Sequence, residues 1–112
     1  MGSPPPTIRK RADFLAANRG TRIVTPAFIL LIRSRGDADP ALRAGFTVTK
    51  KIGGSVVRSR LKRRLREIAR LELPGCGLAG ADHVLIGRSA GLTRDFAAMR
   101  ADLVRACAKA TQ

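Results

Sequence analysis

Residues 46–67 read FTVTKKIGGSVVRSRLKRRLRE, and the way they fold decides how the rest of the chain is arranged. The first four residues alternate. Phe46 and Val48 fall on one side, Thr47 and Thr49 on the other, which is the period of a strand. After Gly53 the period changes. Val57, Leu61, Leu65 and Ile68 lie within about 80° of one another at 100° per residue, the stripe of an amphipathic helix. Gly53-Gly54-Ser55 breaks the chain between the two, with Ser55 as the expected N-cap. The helix is predicted over about 56–71, ended by Leu73, Pro74 and Gly75.

The same stretch carries the charge. Within residues 50–66, Lys50, Lys51, Arg58, Arg60, Lys62, Arg63, Arg64 and Arg66 are basic and none is acidic. Like charges held on one ordered element repel, and a polyanion relieves that cost. Opposite the apolar stripe lie Ser59, Lys62, Arg63, Arg66 and Arg70, while Arg60 and Arg64 stack at i, i+4 along its border. Arg58 and Arg60 sit near the positive end of the helix dipole, where a cation is disfavoured. A local conflict of that kind points to function more than to stability. Lys50 and Lys51, the glycines and the free N–H groups of a helix start would together favour an anion. The spacing is not that of a P-loop. A merely solvated charged face is the bland reading, and it is disfavoured because acidic partners at i, i+4 are nearly absent.

Working outward, residues 7–19 read as a short helix capped by Thr7, with Ile8, Ala12, Leu15 and Ala16 as its stripe, and Gly20 ends it. Phe14 lies to one side of that stripe. Residues 22–24 form a short strand and AFILLIR (27–33) a buried one. GDADP (36–40) is a turn, and 43–49 is the next strand, expected to pair with 27–33 as an antiparallel hairpin. HVLIGR (83–88) is a further strand. Thr93 is the expected cap of a last helix over about 94–109, with Phe96, Met99, Leu103 and Cys107 as its stripe. The order implies an α+β sandwich with helices packed on a mixed sheet.

The 112 residues suit one domain over 7–112 after a disordered lead, 1–6, rich in proline. Hydrophobic residues make up 45%, enough for a core, and the net charge of +14 points to nucleic acid. No apolar run is long enough to span a bilayer, and the first residues lack the apolar stretch of a secretory signal. A cytoplasmic protein with Cys76 and Cys107 as free thiols is expected.

A protein-borne active site is not expected. His83 is the single histidine and sits in a strand, and the eight carboxylates are scattered. Neither a metal cage nor an acid–base pair is evident. Phe14 stands beside Arg9, Lys10 and Arg11. It is either a core residue or a platform for an unpaired base.

FTVTKKIGGSVVRSRLKRRLRE resembles the signature of the bacterial ribonuclease P protein subunit: a strand ending in Lys-Lys, a glycine turn, then an Arg-Asn-Arg helix. IRKRADF, PAFIL and DHVLIGR extend the resemblance along nearly the whole chain. It implies an αβββαβα sandwich on a four-stranded mixed sheet, with a left-handed crossover that would be an exception to the usual handedness. It implies a monomeric partner of a catalytic RNA that removes the 5′ leader of precursor tRNA. The RNA and its magnesium ions carry the hydrolysis, and the protein itself binds no cofactor. By resemblance, Arg58, Ser59, Arg60, Lys62, Arg63 and Arg66 contact the catalytic RNA. Phe14, Arg11, Thr47, Thr49, Lys50 and Lys51 serve the leader, and Phe46 joins them if its strand face is the open one. Ser59 replaces the motif's usual Asn, Gly-Gly-Ser stands where Gly-Asn-Ala is common, and Ala17 or Asn18 stands where many members carry a second aromatic. No membrane or DNA partner is expected. The competing readings are a small basic ribosomal-type RNA-binding protein without a role in cleavage, a DNA-binding regulator using 56–70 as its recognition helix, and a protein-only nuclease.

Overall fold

The structure, a computed structural model, describes residues 5–110. Three helices and four strands follow one another as α1 (Arg11–Ala17), β1 (Thr21–Val24), β2 (Phe28–Ser34), β3 (Arg43–Thr47), α2 (Ser55–Cys76), β4 (Ala81–Gly87) and α3 (Phe96–Ala110). Short 3-10 turns at Lys50–Ile52 and Ser89–Leu92 lead into α2 and towards α3. This is the αβββαβα order, on one mixed sheet.

The hairpin expected between β2 and β3 does not form. The strand order is β1-β2-β4-β3, so β4 lies between them. β4 is antiparallel to β2 and parallel to β3, and the β3–β4 connection therefore crosses over through α2. The reason is burial. β2 and β4 carry the densest apolar runs, FILLI and VLI, and the two central positions bury all of these residues but Ile29 and Ile86, which are half-buried. β3, with Arg43, Gly45 and Thr47, suits an edge.

One sheet face packs on α2 and α3. Phe28 and Leu30 of β2, Leu85 of β4, Leu61, Leu65, Ile68 and Leu73 of α2, and Met99 and Leu103 of α3 form this core. Of the expected stripes, Leu61, Leu65 and Ile68 of α2 and Met99, Leu103 and Cys107 of α3 are buried, while Val57 and Phe96 are half-buried. The other face packs against α1 and the segment before it, in a small cluster of Ile8, Ala17, Leu31 and Val84.

Helix ends differ from expectation for local reasons. Residues 7–10 are not helical, because Ala44 of β3 donates its N–H to the Pro6 carbonyl and accepts from the Ile8 N–H, both at 2.9 Å. That pairing wins over the start of a short helix, whose nucleation is costly. It also orders Pro5 and Pro6, which were expected in the disordered lead; residues 1–4 lie outside the described residues. α1 therefore turns Phe14 and Ala17 to the sheet and leaves Leu15 exposed, against the expected stripe. β3 ends at Thr47, not Thr49. Gly54, not Ser55, holds the α2 cap position. The helix also runs through Pro74, which removes one backbone bond only, while buried Leu73 holds the last turn down and its carbonyl accepts from Gly77 N–H at 2.7 Å. At α3 the cap is Asp95, whose Oδ2 accepts from Ala98 N–H, and not Thr93.

Candidate nucleic-acid interface

The open face of the sheet is built by register. Val24 pairs with Ile29, Ile29 with Ile86, and Ile86 with Thr47, so these four stand in one row across all strands. The neighbouring row is Arg22, Leu31, Val84 and Gly45. α1 covers the second row and leaves the first half-open, with Val24 56% exposed. Phe14 stands at the boundary. Its ring lies so close over Gly45 that a Cβ there would come within 2.7 Å of it. Gly45 is thus the seat of the aromatic, and an isolated glycine inside a strand is the signal that marks such an approach.

Along β3 the chain runs from Gly45 past half-buried Thr47 to exposed Thr49, Lys50 and Lys51. Arg11 is exposed at the start of α1. The structure therefore brings Phe14 and Thr47 to one face of the sheet and sets Thr49 and the lysine pair beyond the end of β3. Phe46 points the other way, towards α2, where the Arg66 guanidinium lies 6.0 Å from its ring centroid. Ala17 is fully buried and is part of the packing under α1.

The second surface is the outer face of α2. Ser55, Val56, Ser59, Arg60 and Arg63 line one cleft of about 330 Å³. Val56 is 74% exposed among these cations, an apolar contact that the charge pattern alone does not reveal. Lys62 is half-buried and Arg66 exposed. Arg58 spends its Nε–H on the Gly53 carbonyl at 3.2 Å, which ties the glycine turn to the helix. Arg64 does not belong to this face. It donates to the carbonyls of Gly91 and Arg94 and fastens α2 to the segment before α3.

Other polar groups are structural. His83 is buried; its Nε2 accepts from Leu78 N–H at 3.0 Å and its Nδ1 faces the Arg43 carbonyl at 3.3 Å. Burial holds its pKa below the usual histidine value, so the ring is neutral. Asp82, fully buried, takes a fork of two 2.7 Å bonds from Arg43 and one of 3.0 Å from Arg35. Asp102 is likewise paired with Arg94 and Arg105. Cys76 and Cys107 are free thiols that meet: the hydrogen bond between them lowers the pKa of Cys76 and raises that of Cys107. Among the described residues no three His, Cys, Asp or Glu side chains converge as a metal site, and no helix is long and apolar enough to cross a membrane.

The sequence matches the Ribonuclease P family over residues 4–111. It is 51% identical over 112 residues to the ribonuclease P protein component of Erythrobacter litoralis, covering 100% of this chain and 91% of that one. To the component of Gluconacetobacter diazotrophicus it is 49% identical over 104 residues, covering 92% and 89%. The fold is similar to that of the RNase P protein from Thermotoga maritima, with a TM-score of 0.73 at 32% identity over 88% of this chain and 92% of that one. For the Staphylococcus aureus RNase P protein the TM-score is 0.74 at 26% identity, covering 95% and 97%.

Proposed function

The chain belongs to the ribonuclease P protein family, and from that premise we propose that it binds a catalytic RNA with one surface and the 5′ leader of precursor tRNA with another, promoting removal of the leader. The observation that carries this reading is the separation of the two surfaces. The open sheet row with Phe14 is apolar and narrow, suited to unstacked bases of a single strand. The outer face of α2 is a row of cations without a planar platform of its own in its first turns, suited to the phosphates of a folded RNA.

On this reading Arg60, Arg63, Lys62 and Arg66 neutralise phosphates, Ser59 offers a hydroxyl where a carboxamide is usual, and Arg58 positions the turn. Phe14 stacks a leader base over the Val24–Ile29–Ile86–Thr47 row, while Arg11, Thr49, Lys50 and Lys51 hold the backbone at its ends. Magnesium ions, which the RNA would hold, would supply the activation of water for hydrolysis. The chain's own part is to bind, orient and neutralise. It works in the cytoplasm, as a monomer before assembly.

The test is reconstitution of the chain with the catalytic RNA of the same organism and a precursor tRNA at low magnesium. Faster leader removal than with RNA alone is expected, and an unchanged rate would refute the proposal. Phe14→Ala is expected to reduce the preference for precursor over mature tRNA by about 1–3 kcal/mol, the usual loss for one base–aromatic stack. Affinities for the two substrates, measured side by side, check this; an equal loss for both would remove Phe14 from the leader site.

A further inference from the structure

Phe46 is the aromatic that the leader groove does not use. It lies on the opposite face of β3, at the open edge of the sheet, in a groove of about 230 Å³ walled by Thr7, Phe46, Arg66, Glu67 and Arg70. Ala44 directs its N–H and C=O to the residues 6–8 segment, and strand alternation directs those of Phe46 to the same edge. The 6–8 segment does not reach them, because the chain turns into α1 after Lys10.

Two arginines in α2 lie over phenylalanine rings at the same 6.0 Å, and they are not equivalent. Arg64 over Phe96 is locked by two carbonyls. Arg66 over Phe46 is exposed and has no hydrogen-bond or ion-pair partner among the described residues. Stacked planar groups sit about 3.5 Å apart, so a ring inserted between Phe46 and Arg66 needs about 7 Å. An outward swing of roughly 1 Å by a long, free side chain supplies the difference. Glu67, ion-paired with Arg70, offers carboxylate oxygens at the same groove. Arg66 also continues the face of Ser59, Arg60 and Arg63 at helical spacing, so the groove adjoins the cationic cleft.

We propose that this groove takes one unpaired nucleobase of the RNA bound by α2, stacked between Phe46 and Arg66, with an exocyclic amino group turned to Glu67. A base with an exocyclic amino group (adenine, cytosine or guanine) satisfies the carboxylate, whereas uracil has no amino group and offers only its N3–H between two carbonyls. The site rests on the RNA-binding reading of α2 given above, and it adds a base-reading position to a surface otherwise made for phosphates.

Chemical probing of Watson–Crick edges tests it, on the same organism's catalytic RNA with and without the full chain. Wild type is expected to shield one unpaired nucleotide that regains free-RNA reactivity with Phe46→Leu and with Arg66→Lys, other shielded positions being retained. Both variants are expected to bind about 5- to 150-fold more weakly, the range for losing one stacked base. Phe46→Leu keeps the apolar packing; Arg66→Lys keeps the charge and the core but loses the planar group. Should every shielded nucleotide stay shielded with both variants, the base site is wrong while the α2 reading stands. A wild-type chain that binds the RNA yet shields no Watson–Crick edge would sink the base site alone, and one that does not bind the RNA would sink both.

Discussion

Asp82→Ala is expected to cost about 3–5 kcal/mol of stability, the loss typical of breaking a buried ion pair from one side. The side chain is fully buried where β2, β3 and β4 meet and is shared by Arg43 and Arg35, whose other carboxylate partners, Asp13 and Asp37, are more exposed. Arg35 is only 6% exposed, so without Asp82 its charge has just Asp37 and two carbonyls to face. Against a total stability of about 5–15 kcal/mol, that leaves a marginal fold. Asp82→Asn keeps the shape and some hydrogen bonds and should cost less. Urea unfolding of the three proteins checks the order.

The same carboxylate sets an acid limit. Burial pushes the Asp82 pKa up, but the hydrogen bonds and charges of Arg43 and Arg35 outweigh it and hold the group below the usual carboxylate range. Its pKa in the folded state is thus below the unfolded value of about 3.9. The stabilisation it brings is complete above that value and is lost as pH falls through the lower, folded one. Unfolding midpoints measured from neutral to strongly acidic pH should drop steeply there in wild type. In Asp82→Asn the drop should be shallower.

Arg60→Glu combined with Arg63→Glu is expected to weaken binding of the catalytic RNA by about 100-fold or more near 0.15 M salt. Two lost phosphate contacts account for roughly 30-fold from counterion release, and reversed charge adds repulsion. Both side chains are exposed, so thermal stability should hold. A titration across salt concentrations separates the causes: the slope of log affinity against log salt should become shallower by about 2. An unchanged slope would mean that these arginines do not meet phosphates.

Much of this was legible in the sequence where one period dominates. Leu61, Leu65 and Ile68 had to face a core because the other residues of α2 that repeat at helical spacing are mostly cations. The cationic arc followed by subtraction. Strand adjacency was not legible: β2 and β3 are neighbours in the chain, and only the burial demanded by β4, far downstream, separates them. Pairing between distant segments leaves no local mark, so nothing near Thr7 announces the Pro6–Ala44–Ile8 bridge that holds residues 7–10 out of α1. The same limit hid the half-open row on the sheet face beside Phe14. Val24, Ile29, Ile86 and Thr47 come from four strands, and only register aligns them. Gly45 was the exception, a strand glycine whose lack of a side chain makes room for Phe14. The direction of Phe46 was set by which face α2 covers, and that choice is global.

The place of β4 between β2 and β3 also sets an order of events in time. A chain emerging from the ribosome presents β2 and β3 together, yet they have no lasting partnership. The sheet cannot close until the strand beginning at Ala81 arrives. Contacts between segments so far apart are slow to form. During that interval the cationic α2 segment is already made, with no sheet behind its apolar stripe. A catalytic RNA that engages those cations early would hold α2 helical while β4 is still missing. Folding rates measured with and without that RNA should then differ most in the step that inserts β4, so the RNA partner would act on how the protein is made as well as on what it does.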